Sequence, residues 1–147
     1  MLNFVQSIFT VFDGVMVLLS LYGAVTSKRR FYLSGLCFYQ IIPIVVSWSA
    51  YMGDKAPAEI LIMSLAVIQL ILTIPDKALY GRDNAAASSL AAKIGVATVF
   101  INAVIAIFGL YFTTGTPIQF PCFHIAFMLI AIFVIVKGFR SKTSAWK

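Results

Sequence analysis

A single carboxylate, Asp13, sits inside a long apolar stretch near the start of the chain. It is the only acid or base read within a span. Holding an ionised carboxylate at mid-bilayer costs about 2.5–3.5 kcal/mol on insertion scales. Asp13 must therefore be protonated, paired or turned toward water. Its chemistry would be proton uptake or the pairing of a cation. Counted from the outer end of its helix, it lies roughly ten residues in, about 15 Å deep at 1.5 Å per residue.

Three other strongly polar side chains lie in neighbouring spans. Gln40 and Asn102 are expected near mid-depth, and Gln69 somewhat nearer the cytoplasmic end. Two roles fit this set. It lines a proton or solute path, or it supplies hydrogen bonds between membrane helices. His124 is the sole histidine, so the chain cannot supply both ligands of a bis-histidine haem or a histidine metal cluster. Cys122 and His124 are too sparse for a metal site. The expected depth of His124, near the outer end of its helix, makes it an outer-side partner to consider for Asp13 or a residue at the headgroups. Cys37 and Cys122 fall at opposite depths, which disfavours a disulfide. No nucleotide, metalloprotease or nucleophile-elbow motif occurs, so no catalytic residue, metal or cofactor is assigned.

These residues need helices to hold them in place. Of 147 residues, 61% are hydrophobic and 11% are charged. A soluble domain carries about 25% charged residues. The apolar stretches approach the roughly 20 residues that cross the hydrocarbon core. The class is all-α: a polytopic integral membrane protein with five transmembrane helices, at about 3–25, 31–52, 58–74, 93–113 and 118–136. The whole chain, 1–147, reads as one membrane domain. The first stretch lacks a basic leader and reads as a retained span rather than a secretory signal.

Within the first helix, Asn3, Gln6, Thr10, Asp13, Ser20, Ala24 and Ser27 recur at helical spacing and form one polar face. Pro43 should kink the second helix. The fourth helix carries a small-residue stripe of Gly95, Thr98, Asn102, Ala106, Gly109 and Thr113, a packing face within the chain or toward another. Asp83 or Asn84 is expected to cap it, so that it starts in the cytoplasmic loop 76–93. The fifth helix is apolar nearly all round and is expected to face lipid or a greasy partner.

Ten of the eleven Lys and Arg residues fall on one side of this arrangement, and Lys55 alone on the other. By the positive-inside rule the rich side is cytoplasmic, with the N-terminus outside and the C-terminus inside. The net charge of +6 thus sets orientation and does not signal nucleic-acid binding. A bacterial inner membrane is the expected location.

The two stripes and the missing motifs favour a non-enzymatic accessory or structural subunit, packed against other membrane subunits or a second copy. A small transporter or channel built on Asp13 is the alternative. A quinone- or lipid-binding subunit is a third reading. It would use outer aromatics such as Trp48, Tyr51, Tyr111, Phe120 and Phe123, which also suit an interfacial belt.

Overall fold

A computed structural model describes residues 2–74, 85–113 and 117–140. It is all-helical, with no strand among the described residues. The helices are α1 (Leu2–Val25), α2 (Arg29–Tyr39), α3 (Ile41–Asp54), α4 (Pro57–Thr73), α5 (Ala85–Tyr111) and α6 (Gln119–Arg140). Helices α2 and α3 form one apolar stretch, Arg29–Gly53, interrupted at Gln40. Pro43 explains the interruption: it has no N–H to offer the Tyr39 carbonyl one turn back, and its ring crowds that carbonyl. Four stretches are long and apolar enough to cross a membrane, and α4 is apolar but shorter at 17 residues. At 1.5 Å per residue α4 spans about 25 Å, slightly less than a typical hydrocarbon core.

Helices consecutive in sequence pack together, and the ends close on each other. Helix α1 packs on α2, α2 on α4, α4 on α5, α5 on α6, and α6 returns to α1, with α3 seated against α4. The large apolar side chains left outside this ring include Phe4, Val11, Leu18, Trp48, Ile71, Phe100 and Leu129. An apolar surface this extensive belongs against lipid.

The tightest crossing joins α1 to α2. A Cβ on Gly35 would meet the Met16 carbonyl at 2.6 Å, and one on Gly23 would strike the Tyr32 backbone nitrogen. Small residues there let the backbones touch. Ser20 uses the proximity to donate a hydrogen bond to the Tyr32 carbonyl at 2.9 Å. The connection between the helices is short because α1 ends in a Schellman turn. Ser27 takes a left-handed φ of 58°, and the Lys28 amide bonds back to the Gly23 carbonyl at 2.8 Å.

Lys137 of α6 then seals the end of α1. Its ammonium donates to the carbonyls of Ala24 and Val25 at 2.9 and 2.8 Å. Lys28, Arg29, Arg30, Lys93 and Lys137 thus share one end of the bundle, the basic face, whereas Lys55 caps α3 at the opposite end.

One expectation changes. The fifth apolar stretch, α6, is not simply lipid-facing: Phe127, Ile130, Ala131 and Val134 are buried, and α5 packs along it. Its apolar character had hidden this, because in lipid a packing face need not be polar. The fourth-helix stripe supplies the matching surface. A Cβ on Gly95 would lie 3.3 Å from Ile135, and one on Gly109 would lie 3.4 Å from Pro121. Asp83 and Asn84, the expected caps, lie with residues 76–84 of the loop 76–93 outside the described residues, and 85–93 form the start of α5.

Candidate functional site

The polar side chains of five helices converge inside the ring. On α5, Asn102 is fully buried and donates from Nδ2 to Gln69 Oε1 of α4 and to the Thr98 carbonyl, both at 2.9 Å. With both donor bonds directed at carbonyl oxygens, the Asn102 Oδ1 is left as an acceptor. It faces His124 Nδ1 of α6 at 2.8 Å. In the neutral ring Nδ1 therefore carries the hydrogen, and Nε2 presents a lone pair. Gln69, Asn102 and His124 form one side-chain hydrogen-bonded chain across three helices, and within α4 Thr73 donates separately to the Gln69 backbone carbonyl at 2.8 Å.

Asp13 and Gln40 are also fully buried but stand apart from this chain. Both carboxyl oxygens of Asp13, and both amide atoms of Gln40, lack a hydrogen-bond partner among the described residues. The Tyr39 hydroxyl lacks one too. Tyr39 connects the two groups. Its ring meets the His124 imidazole edge-to-face with centroids 5.0 Å apart, and its phenol lies within electrostatic range of the Asp13 carboxyl. Phe127 backs the same ring at 4.4 Å. His124 is buried among these groups and bonds to Asn102 rather than to Asp13.

A half-enclosed cavity of about 180 Å³ opens at the end of the bundle opposite the basic face. It lies between α3, α4, α5 and α6, and His124, Ser47, Thr113 and Glu59 contribute its polar groups. Pro43, Pro121 and Phe120 are among its apolar walls. Pro43 thus both interrupts the second apolar stretch and lines the cavity beside it. Glu59 stands in the first turn of α4, after Pro57 at the helix start, where the helix dipole favours an acid.

Of the residues singled out in the sequence, Gln69, Asn102 and His124 are directly joined. Asp13 and Gln40 are buried without joining them, and Gly95, Thr98, Ala106 and Gly109 lie along the α5 face that packs inward. Three residues escaped attention: Tyr39, Ser47 and Glu59. For Glu59 the signal was present. Glu59, Ile62, Ala66, Gln69 and Thr73 step by threes and fours, and the last four are buried. Asp13 is therefore accompanied by a second acid on an inward-facing stripe, at the mouth of the cavity. Cys37 is buried and Cys122 exposed, both as free thiols. Among the described residues no three His, Cys, Asp or Glu side chains gather as a metal site would require.

The described residues form an all-helical fold with four stretches long and apolar enough to cross a membrane, as in a small membrane protein, around a polar interior. Comparison with protein-family models, curated protein sequences and solved structures finds no match to this chain.

Proposed function

We propose that this protein is a small carrier or channel that moves protons or a small polar solute through its interior, with Asp13 as the group that takes up the cargo. The observation behind this reading is the Asp13 carboxyl, fully enclosed and with no partner among the described residues for either oxygen. In lipid, an unsatisfied buried polar group costs several kcal/mol. A protein gains nothing in stability from such a residue, whereas a transport path requires a group that can bind and release. Gln40 and Tyr39 have further buried polar atoms without a partner among the described residues, open to the same cargo.

The reading also draws on how the stripes are used. They had favoured an accessory subunit because they offered more polar helix surface than the chain seemed to need. The buried part of the α1 stripe packs against α2, and the α5 stripe against α6. In the proposed topology the chain crosses five times, the basic face is cytoplasmic and the N-terminus is outside, as in a bacterial inner membrane.

The test is flux in proteoliposomes carrying an internal pH dye. Asp13→Asn keeps shape and removes the ionisable proton. It should abolish proton or proton-coupled flux at unchanged expression and thermal stability. Wild-type flux in the variant, or no flux by the wild type under an imposed pH gradient or counter-gradients of small solutes, would overturn the reading.

The accessory-subunit reading retains one observation. Gln6, Ser7, Thr10 and Gln119 line a shallow open depression on the outer part of α1, and Gln119 reaches Thr10 Oγ1 at 3.5 Å. Polar groups on a lipid-facing surface suit a neighbouring subunit. The native mass in mild detergent tests it: a monodisperse monomer without co-purifying protein counts against that role.

A further inference from the structure

We infer that the cavity between α3, α4, α5 and α6 is a binding site for a small protonated amine with an apolar body. This goes beyond the Asp13 reading and rests on different residues.

The argument begins with the hydrogen-bonding character of the walls. His124 is 3% exposed, and its Nδ1 is committed to Asn102. The amide orientation of Asn102 leaves Nε2 as a lone-pair acceptor, and no described residue donates to it. Ser47 is likewise 3% exposed, lines the cavity and makes no hydrogen bond within the described protein. Glu59 adds a carboxylate. The cavity thus offers a carboxylate, an imidazole lone pair and the hydroxyls of Ser47 and Thr113, and no cationic side chain among the described residues lines it. Such a set selects a ligand rich in donors and positively charged, because an ammonium has three donors and no acceptor.

Charge balance points the same way. Lys55 is the nearest cation in sequence, but its ammonium lies over the Tyr51 ring at 5.1 Å and beside Met52 Sδ at 3.8 Å. It makes no ion pair with Glu59. The counter-charge for Glu59 is therefore left to whatever enters the cavity.

Size and walls set the rest of the ligand. A dry cavity of about 150 Å³ accepts benzene, so 180 Å³ accommodates a ring with a short aminomethyl arm. Pro43, Pro121, Phe120 and Ile105 supply the apolar surface for the ring. Benzylamine at neutral pH meets each requirement, and benzyl alcohol has nearly the same shape without the charge.

The experiment titrates both compounds into the purified full chain in nanodiscs, by calorimetry, alongside Glu59→Gln. The expected result is saturable binding of benzylamine at least tenfold tighter than benzyl alcohol, with that preference lost in E59Q. Because E59Q nanodiscs contain the same lipid, partitioning into the bilayer cancels in the comparison. Equal affinities for the two compounds, an undiminished preference in E59Q, or no saturable binding would each overturn the proposal. A protein that binds benzylamine through Glu59 but passes no cargo leaves this site standing and removes the Asp13 reading. Flux that depends on Asp13 without amine binding removes the site alone.

Discussion

Replacing Asn102 by Leu would cut the hydrogen-bonded chain that joins α4, α5 and α6. The side chains are of similar size, so packing is largely kept while both donors and the acceptor disappear. Two of the bonds run between helices, to Gln69 Oε1 at 2.9 Å and to His124 Nδ1 at 2.8 Å. The third stays within α5, to the Thr98 carbonyl. Hydrogen bonds between membrane helices average about 0.6 kcal/mol and reach about 1.7. Two such bonds give a loss of about 1.2 kcal/mol at the mean and about 3.4 at the limit. The upper part of that range is expected, because Gln69 Oε1 and His124 Nδ1 are left buried with no replacement partner. Reversible unfolding in mixed micelles, followed by circular dichroism, measures the loss. Gln69→Leu in the same background should cost less than it does alone, since one orphan is then removed with the other. A second readout is the imidazole ¹⁵N spectrum. Wild-type His124 should show a protonated Nδ1, and Asn102→Leu should free the ring to exchange tautomers. A variant within about 0.5 kcal/mol of wild type, strict additivity with Gln69→Leu, or a wild-type ring protonated at Nε2 would refute the network as described.

Other perturbations test the architecture. Gly35→Ala places a Cβ 2.6 Å from the Met16 carbonyl and 2.8 Å from Ser20 Cβ. It should force α1 and α2 apart and cost about 1–3 kcal/mol by the same unfolding assay. Gly14→Ala, with nothing within 4 Å of its Cβ, is the matched control and should be neutral or slightly stabilising. Lys137→Met removes two hydrogen bonds to the last carbonyls of α1. It should lower stability by about 1 kcal/mol and raise hydrogen exchange at the end of α1, and Lys137→Arg should restore much of the loss.

How much was legible in the sequence differed from helix to helix. The all-helical, membrane-length character followed from apolar runs whose lengths match a bilayer, and the interruption near Pro43 followed from its missing donor. The buried faces of α1 and α5 were legible because small and polar residues stand out in a greasy helix. The face of α6 was not: Phe127, Ile130 and Val134 resemble the lipid-exposed Leu129 and Phe133 beside them. Water sorts apolar from polar surfaces in a soluble helix, but lipid imposes no such sorting. His124 was placed near the headgroups from its position in the chain, although its burial follows from packing against Tyr39 and Asn102. Glu59 was overlooked because a helix end is where acids are ordinary, and only its register with Ile62, Ala66 and Gln69 marks it as inward.

That register separates two kinds of polar residue in the interior. Gln69, Asn102 and His124 are joined by side-chain hydrogen bonds, which is what residues holding helices together should do, although Gln69 Nε2 has no partner among the described residues. Asp13 and Gln40, at the same degree of burial, satisfy nothing within the described protein. If both sets served only packing, the costlier members should have found the better partners, since an unpaired carboxyl in lipid is penalised more than an amide. The opposite holds for two of the three amides: Gln69 and Asn102 are bonded to each other, whereas the Asp13 carboxyl is left open together with Gln40. Tyr39 packs its ring edge-to-face on His124. A bonded scaffold with an open carboxyl beside it is what a site that takes up and releases a charge requires. The Asp13→Asn and Asn102→Leu variants should therefore divide cleanly, the first losing flux at constant stability and the second losing stability first.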